Sequence, residues 1–116
     1  VEKRVELALL MDFYGPLLTE HRREILSLYC EEDMTFQEIA GQLGISRQGV
    51  HDAVRTAAAQ LNRFEETLGL ADRYRRLTRE VKTCRALLGA VRADAGSRQA
   101  LDEALEALDR IIGIER

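Results

Sequence analysis

Residues 35–57 read TFQEIAGQLGISRQGVHDAVRTA, and this run decides the fold. Thr35-Phe36-Gln37-Glu38 has the S/T-x-x-E form of a capping box, so a helix starts there. Gly44 follows Leu43 as a left-handed helix end would, and Ser46 is placed to cap a second helix. Ile39, Ile45, Val50 and Val54 are spaced to fill the wedge between the two helices, and Ala40 is small where they cross. Two helices joined by so short a turn predict a helix-turn-helix.

Upstream, a helix is expected from Glu2 to Phe13, ended by Tyr14-Gly15-Pro16, because proline has no amide proton to donate. Thr19 caps the next helix, with Leu18, Ile25, Leu28 and Tyr29 as its apolar stripe. Downstream, the helix that starts at Ser46 meets no breaker until Gly69. Leu70, Tyr74, Leu77, Val81, Cys84, Leu88 and Val91 then recur at heptad spacing, and Leu101, Leu105, Leu108 and Ile112 continue it after a turn at residues 94–97. Ser97 is the expected cap of that last helix. No strand-like alternation occurs. The chain reads as all-α: a helix-turn-helix domain over residues 1–70, followed by an antiparallel helical hairpin over residues 71–116. A hairpin alone buries little apolar surface, so its seam is expected to pack on the first helices or on a second subunit.

The formal net charge of −3 argues mildly against strong non-specific DNA affinity, but its distribution matters more. Residues 1–70 hold 7 Lys/Arg against 12 Asp/Glu, whereas residues 73–92 hold 7 Lys/Arg against the single acid Glu80. The basic surface lies downstream of the helix-turn-helix, not on it.

Two sets of residues are candidates for nucleic-acid contact. Ser46, Arg47, Gln48, His51 and Arg55 lie on the leading face of the second helix, whose amino end could seat a phosphate while Arg47 and Gln48 reach base edges. Asp52 on the same helix would repel phosphates, and few basic residues flank the motif. Arg73, Arg75, Arg76, Arg79, Lys82 and Arg85 could grip structured RNA through phosphates and shape. Both sets could equally be solvated helix faces. Gly49, unusual inside a helix, suggests either a partner's close approach or simple tolerance in the first turn.

Cys30 and Cys84 stand far apart and read as small apolar core residues. His21 and His51 lack a second ligand nearby, so no metal or other cofactor is expected. Glu31/Glu32 and Glu65/Glu66 read as solvated faces rather than acid-base pairs, and no enzyme is expected. With no apolar run of spanning length and no signal peptide visible, a cytoplasmic protein without membrane insertion is expected.

Residues 17–61 resemble region 4 of bacterial sigma factors, in the lead-in helix, the EIA…LGIS core and the recognition helix. The runs DFYGPLLTE, LYCEEDMTFQEIA and ISRQGVHD are together more specific, and resemble the YlxM family of small bacterial helix-turn-helix proteins. The likeness weakens after about Leu70. It implies a non-enzymatic role in the signal recognition particle pathway, with the particle's RNA or its GTPase as partner. A DNA-binding transcriptional regulator is the alternative, and a homodimer is compatible with either.

Overall fold

The computed structural model describes residues 2–113, which form six α-helices and no strand. They are α1 (Glu2–Tyr14), α2 (Glu20–Cys30), α3 (Phe36–Leu43), α4 (Arg47–Leu68), α5 (Leu70–Gly89) and α6 (Ala95–Ile112). The chain divides into two units, Val1–Ala71 and Asp72–Arg116.

In the first unit, α1, α2 and α3 all pack on α4. Leu10, Tyr14, Ile25, Leu26, Ile39, Val50 and Leu61 have essentially no exposed surface. Leu26 lies outside the stripe expected for α2 and belongs to the centre of this core. Each helix end follows from local chemistry. Pro16 sits in a 3-10 turn (Gly15–Leu17) that stops α1. Thr19 accepts from the Arg22 amide at the start of α2. The capping box is complete: Glu38 N–H donates to Thr35 Oγ1 at 3.1 Å, and Thr35 N–H donates to Glu38 Oε1 at 2.9 Å. Gly44, at φ 69°, makes the left-handed turn that brings α4 back across α3.

These backbone bonds hold the Glu38 carboxyl below its usual range, and the Ser97 bonds do the same for Asp94. A lowered carboxylate pKa contributes stability that is present above the unfolded value and lost as pH falls through the folded one. Both contributions are therefore in place at neutral pH and fade below about pH 4. Thr35→Ala is expected to cost about 0.5–2 kcal/mol in urea denaturation at pH 7. The penalty should shrink as the same measurement is carried down through the acidic range in which Glu38 protonates and no longer completes the box; a penalty that stays constant down to the acid unfolding of the chain would deny the coupling.

A polar latch closes the α4–α5 junction. The Tyr14 hydroxyl donates to Glu65 Oε1 at 2.6 Å and accepts from the Leu70 amide at 3.0 Å. The same Glu65 oxygen accepts from the Ala71 amide at 3.0 Å. Burial and the Glu65 carboxylate push the Tyr14 hydroxyl pKa up. Glu65 is thus half-buried and structural, not part of a solvated face.

The second unit departs from expectation in three ways. First, the shielded line of α5 runs through Thr78, Val81, Arg85 and Leu88, while Tyr74, Leu77, Cys84 and Val91 of the expected seam are exposed. Arginine and threonine can line a partly covered face because their aliphatic parts pack while their polar ends reach out. Second, Arg85 near the end of α5 pairs with Asp109 in the last turns of α6, with Nη2 3.2 Å from Oδ2. A tight turn would place it opposite the first turn of α6 instead. The first turns of α6, through Ala100, are accordingly exposed. Third, Asp94 rather than Ser97 caps α6, accepting from the Ser97 amide at 2.9 Å.

The cysteines also separate. Cys84 is exposed, while Cys30 is half-buried and burial raises its thiol to about 11. Only the thiolate attacks a disulfide reagent. At pH 8 an aromatic disulfide reagent should therefore label Cys84 rapidly and Cys30 only on unfolding, as read by mass spectrometry of peptides. Equal labelling rates would contradict the packing around Cys30. Among the described residues no helix is long and apolar enough to cross a membrane.

Candidate nucleic-acid interface

The amino end of α4 is built by Ser46, whose side chain accepts from the Gly49 amide at 2.9 Å. The Arg47 and Gln48 amides remain at the helix end, where no preceding turn supplies a carbonyl. Ser46, Arg47, Gln48, His51 and Arg55 are all exposed, while Val50 and Val54 of the same helix turn inward and are buried. The amphipathic split of α4 thus delivers every predicted residue of this set to one open face. Gln48 Nε2 donates to Asp52 Oδ1 at 3.0 Å, and His51 Nδ1 lies 3.6 Å from the same oxygen. Asp52 is therefore held by its neighbours on the face it was expected to disturb. Gly49 has an internal reason: a Cβ there would lie 3.1 Å from Ser46 Oγ and crowd the cap.

Beside this face lies a cleft of about 200 Å³ that involves α1, α2, α3 and α4. Leu7 and Val54 are its buried apolar lining, with Tyr29, Phe36 and Ala58 around them and Lys3, His51 and Arg55 also contributing. The Tyr29 and Phe36 rings lie 5.2 Å apart, and His51 stands edge-on to Phe36 at 5.6 Å. Arg4 covers the Tyr29 ring at 4.3 Å and donates to the Met34 carbonyl at 3.2 Å, which ties α1 to the α2–α3 connection. Phe36, Tyr29 and Lys3 were not among the sequence candidates. Phe36 was visible only as a residue of the capping box, and the cleft arises from four separate segments.

In the second unit, Arg73, Arg76, Arg79 and Lys82 are exposed at three-residue spacing, so they form a basic ridge along α5. Arg76 is within 3.2 Å of Asp72 in an exposed i,i+4 pair, which costs a phosphate little to displace. Arg75 is half-covered. Arg85 differs: the bidentate Asp109 partner raises its pKa further and commits it to the α5–α6 contact. It is therefore engaged within the second unit. No group of three or more His, Cys, Asp or Glu suited to a metal occurs among the described residues.

Residues 1–91 match a protein family described as "Putative helix-turn-helix protein, YlxM / p13 like". The chain is 50% identical over 74 residues to a UPF0122 protein of Acetivibrio thermocellus, a match spanning 64% of this chain and 63% of that protein. It is 39% identical over 101 residues to a UPF0122 protein of Symbiobacterium thermophilum, covering 77% of this chain and 94% of the relative. With a UPF0122 protein of Shouchella clausii the identity is 34% over 111 residues, and the shares are 96% and 95%.

Proposed function

Because the chain belongs to the YlxM / p13-like helix-turn-helix family, we propose that it is a non-enzymatic nucleic-acid-binding accessory protein of the signal recognition particle pathway, with the particle's RNA as ligand. One observation carries the nucleic-acid reading: Arg47, Gln48, His51 and Arg55 stand exposed together on one face of α4, beside the open helix end. The ridge Arg73–Arg76–Arg79–Lys82 supports RNA in particular, because structured RNA is held by phosphate contacts and shape. The pathway is the one the family resemblance implies, and the particle's GTPase is the protein partner to try next.

Tyr74 and Leu77 are exposed apolar residues three apart on α5, and a second copy of the chain is the proposed occupant of that stripe. The intact Gly44 turn and capped α4 favour one other reading, a DNA-binding regulator that lays α4 in a major groove.

Titration with signal recognition particle RNA and with random duplex DNA of equal length, at low and at physiological salt, separates these. Tight RNA binding that survives the higher salt, with weak DNA binding, is the expected result. Weak binding to both that salt abolishes would be counterion release alone and would overturn the proposal.

A further inference from the structure

We infer that the cleft beside α4 is a receptor for one unpaired nucleobase, an inference that rests on the nucleic-acid reading above. At about 200 Å³ it is smaller than the roughly 300–1,000 Å³ of pockets that enclose a whole drug-sized ligand. It holds a single ring system and leaves the rest of the ligand outside. Its interior is apolar and aromatic, from Leu7, Val54 and the paired rings of Tyr29 and Phe36. Lys3 and Arg55 contribute exposed cations to the same cleft.

A small apolar, aromatic cleft with cations at hand suits a base whose sugar-phosphate chain runs across the opening. An apolar protein side chain would fill the slot but leave both cations unused. Arg55 also belongs to the exposed α4 face, so a strand that follows α4 meets the cleft without turning away. A base inside a duplex is stacked on both sides and cannot enter. The cleft therefore selects bulges, loops or single strands, which is how proteins usually read RNA sequence.

The test uses three RNA hairpins of one length: fully paired, with a one-nucleotide bulge, and with the same bulge made abasic. The abasic hairpin keeps the length and charge of the bulged backbone and lacks only the base itself. The wild-type chain should bind the base-bearing bulge on the order of tenfold tighter than the abasic one. Two variants probe the cleft, and their affinity for the paired hairpin reports that each is still folded: Phe36→Leu removes the aromatic wall but keeps an apolar side chain, and Ala58→Leu plugs the cleft. Each should bring the base-to-abasic ratio close to one and leave affinity for the paired hairpin unchanged. Equal binding of all three hairpins by the wild type would overturn the inference while sparing the nucleic-acid reading. A ratio that survives both variants would place the base elsewhere and also overturn it. If none of the hairpins binds, the nucleic-acid reading fails, and this inference fails with it.

Discussion

Ile39→Ala should lower the stability of the helix-turn-helix unit by about 2–5 kcal/mol, the usual cost of emptying a closed site in a core. Ile39 has no exposed surface and belongs to α3, which packs on both α2 and α4. The cavity left behind cannot collapse easily, because Leu26, Val50 and Leu61 around the same core are equally enclosed. A unit of this size has only about 4–10 kcal/mol of stability to lose, at roughly 0.05–0.15 kcal/mol per residue. The substitution therefore removes about half of it. Urea denaturation of the full chain, followed by circular dichroism, should show the midpoint falling sharply with little change in slope. A loss below about 1 kcal/mol would mean that α3 does not carry the core contact assigned to it.

The second large effect is on binding. Arg47→Ala and Arg55→Ala remove two cations eight residues apart on the exposed side of α4. Each is expected to cost about 1–3 kcal/mol of affinity for the RNA, so the double variant should bind on the order of 30-fold or more weakly. If both arginines touch phosphates, the slope of log affinity against log salt should also shrink by about 1.4–1.8. The melting behaviour should be unchanged, because neither side chain is buried. Unaltered affinity would shift the interface off α4 and leave the α5 ridge as the contact surface. Arg85→Ala provides the contrast: its guanidinium is held by Asp109, so its loss should disturb the α5–α6 contact rather than the salt slope.

The helix-turn-helix was legible because its chemistry is local and strongly typed. A capping box needs residues three apart, a left-handed turn needs Gly44, and a buried crossing needs Ala40. All three signals lie within one short run. The open face of α4 followed from the same periodicity, since a helix with Val50 and Val54 buried must show its other side to solvent. The extension was harder. Two stripes on α5 share Val81 and Leu88, and counting apolar residues favours the one through Tyr74, Leu77 and Cys84. The covered line instead includes Thr78 and Arg85, whose aliphatic atoms an apolar count does not register. Glu65 was misread for another reason. Its hydrogen-bond partner Tyr14 is 51 residues away, and no local pattern reports so distant a contact. The base-sized cleft has the same origin, with lining residues from Lys3 to Ala58 that only the packed helices bring together.

The most direct test of the central claim is a two-dimensional amide NMR titration of the full chain with signal recognition particle RNA. The predicted result is a set of perturbed amides over residues 46–55, the cap and first turns of α4, and 73–82 of α5, with little change along the acidic surface formed by Asp12, Glu20, Glu24 and Glu31. Perturbations confined to that acidic surface, or spread evenly over the chain, would contradict the assignment of α4 and the α5 ridge as the nucleic-acid interface.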